Sequence, residues 1–241
     1  IADREQWFYH AVADVIRANS LLRSFPEINP RKIGVHGISW GGVITAAVMG
    51  LDNRFAFAVP VYGCGFLYES TVSNFERYFK VMTPDQLNAY KTKWDPSLYI
   101  PSATVPSLWY IGSNDGSFSL NIWQRSVSLV KPAPMLSIPV TSEHGHIWNQ
   151  PEIFAFADMM VKNGKKLMQI GNTFIEKNRV TAKIASEATL KKAVLCYTTD
   201  SGAWQNRNWV QLPATLNKGK VSASLPAHAK AYYFNITDTD N

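Results

Sequence analysis

The chain has 241 residues, which at roughly 100 to 200 residues per domain is one large domain, or a medium domain with a small one. Hydrophobic residues make up 46% and charged residues only 17%, enough apolar material for a packed core, which excludes disorder and collagen-like repeats. The net charge of +6 is a mild excess of 24 Lys and Arg over 18 Asp and Glu, with the lysines scattered along the chain and no basic block, so no nucleic-acid partner is expected.

No window reaches the ~18 consecutive apolar residues of a membrane span, and Ile1 to Glu5 lacks the basic-then-apolar layout of a signal peptide. No membrane association is expected from these features. Cys64 and Cys196, the two cysteines, fall in different predicted domains and form neither a disulfide framework nor a CxxC metal site.

From Arg4 to Phe25, apolar residues recur at helical spacing (Trp7, Val12, Val15, Ile16, Leu21, Leu22) until Pro26 intervenes, which predicts an amphipathic helix. Ile33-Gly34-Val35-His36 reads as a short buried strand, followed by Gly37-Ile38-Ser39-Trp40-Gly41-Gly42 and a small-residue helix from Val43 to Met49. A second strand is predicted over Phe55 to Tyr62, then a polar, aromatic and helix-prone insertion over 67–97. Pro106 to Ile111 is a third strand, ending in Gly112-Ser113-Asn114-Asp115-Gly116, with a helix over Leu120 to Val130. Met135 to Val140 is a fourth strand, leading to a loop with Glu143-His144-Gly145-His146, and Pro151-Glu152 opens a last helix to Met160. Strands alternating with helices predict an α/β fold with a parallel sheet over residues 1–165. Beyond Lys166 the texture changes to β-branched strands at Val180 to Ile184, Ala193 to Thr198, Val221 to Leu225 and Tyr232 to Ile236, which predict a small all-β, sandwich-like domain over 166–241.

Gly37-x-Ser39-x-Gly41, between a strand and a helix, has the form of a nucleophile elbow, in which tiny flanking residues let strand and helix backbones nearly touch. An acid beyond a later strand would orient a base, and Asp115 stands there, in a loop that is equally an ordinary Asp turn. A histidine beyond the next strand would take the serine proton, and His144 and His146 both stand there. The order Ser39, Asp115, histidine suits a nucleophile, acid and base at successive carboxyl ends of one parallel sheet, with His144 at the more usual distance from its strand and His146 as the alternative base. His-x-His lacks further ligands at metal spacing, and neither nucleotide-binding glycine motif is present, so no metal and no cofactor are expected.

These residues, together with Pro26 to Gly42, Arg54 to Gly65, Pro106 to Asp115 and His144 to Asp158, resemble the α/β-hydrolase superfamily, and more narrowly its acetyl xylan esterase, prolyl-oligopeptidase-like and pathogenicity-related branch. The resemblance covers residues 1–165. It implies Ser39 as nucleophile, Asp115 as orienting acid, His144 as base and the Trp40 backbone N–H as one oxyanion donor, with Tyr62 and Trp148 as candidate substrate-binding residues. It also implies a small-molecule or carbohydrate ester as substrate, acetylated carbohydrate first among them. A periplasmic or secreted location is the working expectation.

In the family the elbow follows the fifth strand, and a second oxyanion donor comes from the loop after the third. Only 38 residues precede Ser39 here, with one predicted helix and one predicted strand. The chain is therefore expected to be part of a longer protein, or else a degenerate hydrolase whose open edge beside Ile33 to Val35 recruits a partner; a missing N-terminal segment or a partner chain would complete the sheet. The aromatic insertion over 67–97 reads either as a lid over the substrate or as an excursion with its own small core. Alternative functions are a serine peptidase of prolyl-oligopeptidase-like type and a non-catalytic protein whose Trp204, Trp209, Tyr232 and Tyr233 bind glycan or a partner.

Overall fold

Helix α1 (Trp7–Leu22) forms where the apolar spacing begins, burying Phe8 and Val12 one turn apart, and ends shortly before Pro26. The computed structural model describes residues 2–131, 133–142, 144–145 and 149–239, apart from the side chains of Ser73 and Asn74. Strand β1 (Val35–Ile38) starts two residues later than the sequence pattern suggests, because its pairing with β2 (Ala58–Val61) begins at Val35 opposite Ala58. Between them, α2 (Trp40–Leu51) buries Val43, Ala46, Ala47, Val48 and Met49, since it lies against both strands and against α1.

The insertion holds two short helices, α3 (Ser73–Lys80) and α4 (Pro84–Ala89), the second started by a capping box in which Thr83 and Gln86 bond each other's backbone N–H groups. Strand β3 (Leu108–Tyr110), helix α5 (Leu120–Ser128), strand β4 (Met135–Ser137) and helix α6 (Pro151–Val161) complete the layer. The four strands are parallel, in the order β1-β2-β3-β4. Every residue of β2 and β3 is buried, as expected where helices cover both faces of a parallel sheet. Complete burial of large side chains such as Trp109, Ile111 and Trp123 contributes about 1.5 to 3 kcal/mol each.

The register aligns the strand ends: Ile38 lies opposite Val61, Val61 opposite Tyr110 and Tyr110 opposite Ser137. The loops after all four strands therefore leave from one edge of the sheet, where ligands of open α/β sheets bind.

The remaining strands are antiparallel. β5 (Gln169–Glu176), β6 (Arg179–Ala185), β10 (Lys220–Ser224) and β9 (Thr215–Asn217) form one sheet in the order β5-β6-β10-β9, and β7 (Leu190–Thr198) lies between β11 (Ala231–Asp238) and β8 (Val210–Pro213) in the other. Val180, Ala182, Val221 and Ala223 from the first sheet meet Ala193, Leu195 and Phe234 from the second. The two-sheet sandwich follows the α/β layer, as the change in sequence texture predicts. Three of its strands, β5, β8 and β9, have no counterpart in the sequence reading.

Candidate active site

Ser39 sits between β1 and α2 with φ 59° and ψ −120°, outside the regions an L residue ordinarily occupies. Its N–H donates to the Val61 carbonyl and its carbonyl accepts the Val43 N–H, both at 3.0 Å, so the strained turn is held from the strand side and the helix side. A Cβ on Gly37 would come within 2.1 Å of the Gly41 carbonyl oxygen, and one on Gly42 within 2.4 Å of the Val61 carbonyl oxygen. The close approach expected around the elbow is thus real at 37 and 42. It does not extend to Gly41, whose added Cβ would meet nothing within 4 Å, because that position faces away from β2.

His144 lies between Ser39 and Asp115. Its Nδ1 is 3.0 Å from Asp115 Oδ2 and its Nε2 is 3.0 Å from Ser39 Oγ. A carboxylate only accepts, so Nδ1 carries the hydrogen and a neutral ring presents Nε2 as acceptor to the serine hydroxyl. The Asp115 side chain is fully buried, while that of His144 keeps 18% of its surface exposed. The other Asp115 oxygen, Oδ1, accepts the backbone N–H groups of Ser117 (2.8 Å) and Phe118 (2.7 Å). Trp40 opens α2, so its N–H belongs to the first helical turn, where N–H groups have no intrahelical acceptor. Its side chain is 45% exposed, with the ring edge-to-face against Trp7 and Phe75 at 5.2 and 5.7 Å.

Tyr62, expected to contact substrate, is fully buried instead. Its backbone adopts φ 52°, and its ring packs 4.9 Å from the His144 ring, because the loop after β2 turns the side chain beneath the imidazole. Its hydroxyl accepts a hydrogen bond from Gln150 Nε2 at 3.2 Å, and burial, then Tyr110 and Asp115, push the phenol above its ordinary range. Phe118 flanks the imidazole at 5.8 Å. Sequence reasoning missed both Phe118 and Gln150. The available clues were local: Phe118 lies within the Asp turn, and Gln150 immediately precedes the proline of α6.

Two sequence-predicted residues, the alternative base His146 and the substrate-contacting Trp148, lie outside the described residues. In the insertion, Tyr68, Phe79 and Tyr90 pack on one another at 4.7 to 6.5 Å, forming a small core of their own. Phe75, also in the insertion, packs its ring against Trp40 and Phe118 beside the site. Asp95 anchors the insertion: it is fully buried and accepts the N–H groups of Phe66, Leu67 and Ser97. Among the described residues, no group of three or more His, Cys, Asp or Glu side chains gathers where it could hold a metal ion.

The family model described as the prolyl oligopeptidase family matches residues 2–129. Among solved structures, an acetyl xylan esterase from Paenibacillus sp. R4 is similar over 65% of this chain and 54% of its own, with TM-score 0.58 and 19% identity. A Mycobacterium tuberculosis puromycin-hydrolyzing peptidase is similar over 65% and 26% (TM-score 0.56, 21% identity). A Pyrococcus horikoshii acylaminoacyl peptidase is similar over 65% and 28% (TM-score 0.54, 18% identity). The chain thus spans about half of the first protein and about a quarter of the other two. At these identities the likeness establishes the fold: the parallel sheet and its helices are the C-terminal part of the α/β-hydrolase fold.

Proposed function

The chain belongs to the prolyl oligopeptidase family, and from that membership we propose that it is a serine hydrolase cleaving carboxylic esters, with Ser39 as nucleophile, His144 as general base and Asp115 as the group that orients the base. The observation that carries this reading is the unbroken pair of 3.0 Å hydrogen bonds from Ser39 through His144 to Asp115. In this reaction Ser39 Oγ attacks the ester carbonyl as its proton passes to His144 Nε2, and the imidazolium is stabilised by Asp115. The oxyanion is met by the Trp40 N–H. His144 then returns the proton to the departing alkoxide, leaving an acyl-Ser39 ester. Water, deprotonated by His144, attacks that ester and releases the acid and Ser39.

Within this reading the substrate is an acetylated carbohydrate. The esterase among the similar structures supports it, and so do the exposed ring of Trp40, the residue after Ser39, and the exposed Trp7 ring packed on it, which suit an apolar sugar face. A second reading, a peptidase, is supported by the family's description and by the peptidases of similar fold. Among the described residues no strand pairs with the outer edge of β1, and we assign that edge to a further segment or partner chain that also brings the second oxyanion donor. We take residues 1–165 and 166–241 as two domains.

The test is hydrolysis of p-nitrophenyl acetate together with labelling by a fluorophosphonate probe, in the native protein and in Ser39→Ala. Both activities should vanish in the variant, and equal activity in the two proteins would end the proposal. Faster release from a prolyl p-nitroanilide than from acetylated xylan would favour the peptidase over the esterase.

A further inference from the structure

The middle of strand β7, Ala193 to Cys196, is buried on both faces, although a strand of a two-sheet sandwich needs only one. Ala193 and Leu195 point into the sandwich, whereas Val194 and Cys196, by strand alternation, point the other way and are equally buried at 8% and 0% exposure. On the neighbouring strand β11, Tyr233 pairs with Cys196 and Asn235 with Val194, so these residues share that outer face. The face is covered by the α/β layer. The Tyr233 ring lies 5.1 Å from Trp209, and Trp204 and Trp209 are half-buried against the α/β core. The indoles expected as a free binding surface are therefore part of an internal contact.

A polar bond crosses this contact to the strand end that leads to the base. Asn235 Nδ2 donates to the Ile138 carbonyl at 2.9 Å, just after β4 and six residues before His144. The α/β layer holds the same segment at three further points. Ser113 N–H donates to the Pro139 carbonyl (3.1 Å), Thr141 N–H donates to Ser113 Oγ (3.3 Å), and Tyr110 Oη lies 3.2 Å from Ser142 Oγ. Between these bonds Thr141 adopts φ 57°, a conformation a β-branched residue keeps only where its surroundings impose it. Asn is also a poor strand former, so the bond to Ile138 gives a reason for its place in β11.

We propose that Asn235 is a positioning residue through which the sandwich braces residues 138–142, so that the β-module acts as a support for the stretch that leads to His144. The inference rests on the serine hydrolase reading for its effect on rate, but not for its effect on the loop itself. An amide donor that orders this segment raises the fraction of molecules in which His144 stands between Ser39 and Asp115, and leaves substrate contacts unchanged.

The experiment uses the full chain with Asn235→Ala, with Asn235→Asp, which keeps the shape and removes the donor, and with Phe234→Leu, which loosens the sandwich core alone. Both Asn235 variants should lower kcat for p-nitrophenyl acetate about 3- to 10-fold at unchanged KM, and speed amide exchange at Thr141 by a similar factor, with little change in Tm. Phe234→Leu should lower Tm while kcat holds. The proposal is overturned if both Asn235 variants keep wild-type kcat and wild-type exchange, or if Phe234→Leu reduces kcat as much as they do. If the wild-type chain hydrolyses nothing, the hydrolase reading fails, and the exchange rate at Thr141 alone decides the brace.

Discussion

Asp115 meets His144 with one carboxylate oxygen and its own loop with the other. Oδ2 lies 3.0 Å from His144 Nδ1, while Oδ1 receives the N–H groups of Ser117 and Phe118. The hydrogen bonds of an Asp turn and the contact proposed for an orienting acid are therefore made by the same carboxylate, one oxygen each. The turn pins the carboxylate so that its free oxygen points at the imidazole, and burial strengthens that contact.

Replacing Asp115 by Asn tests this division of labour. The Asn oxygen can still accept both backbone N–H groups, but its NH₂ would face Nδ1 and favour the tautomer with hydrogen on Nε2, which cannot take the serine proton. We expect kcat to fall about 10⁴-fold while urea-unfolding stability stays nearly unchanged. A variant within about tenfold of wild type would show that the acid plays no such part.

The elbow glycines should separate in a stability measurement. Gly42→Ala places a Cβ 2.4 Å from the Val61 carbonyl oxygen, so the strand and helix must part, at a cost of about 1 to 3 kcal/mol. Gly41→Ala meets no atom within 4 Å and replaces a helical glycine, which should leave stability equal or raise it by up to about 1 kcal/mol. Chemical denaturation of the two variants reads the difference directly. Equal losses in both would mean that the approach of α2 to β2 does not limit residue size.

A buried carboxylate far from the site makes stability depend on acid. Asp52, 4% exposed, is bound through both oxygens by the Arg54 guanidinium at 2.7 Å and also receives the Asn19 amide at 3.0 Å. The Arg54 hydrogen bond, against the opposing push of burial, holds its carboxyl down to about 2 from an ordinary 3.8, and Asn19 adds to the effect. Because the folded value is the lower one, the stabilisation is complete above about pH 4 and is lost as pH falls through about 2; it amounts to about 2 kcal/mol. Urea unfolding at a series of pH values should show this fall in the wild type and a shallower one in Asp52→Asn. Parallel curves would contradict it.

What could be read beforehand follows from how local each feature is. The apolar runs that became β2 and β3 were legible because strands buried on both faces need no alternation, only length and bounding turns. Strand β5 was not legible. All eight of its residues are exposed, so nothing in its side chains marks a face, and it exists by backbone pairing with β6 at the edge of a sheet. Strands β8 and β9, four and three residues long and separated by Ala214, are too short to show a period. That Tyr62 packs against the imidazole was not legible, because whether a side chain after β2 faces a pocket or lies by that ring depends on a loop more than eighty residues away.

By itself, the sequence determined the alternation of strands and helices, the elbow at Ser39 and the chain order of Ser39, Asp115 and the histidine loop, since periodicity, turn chemistry and close-packed glycines all act between near neighbours. Only the tertiary structure decided that His144 stands between Ser39 and Asp115, with partners 105 and 29 positions away, and that Asn235 of the sandwich reaches the Ile138 carbonyl 97 positions earlier. Those contacts depend on strand register and on the packing of one sheet against another. Both are set by burial summed over many residues, which no short stretch of chain contains.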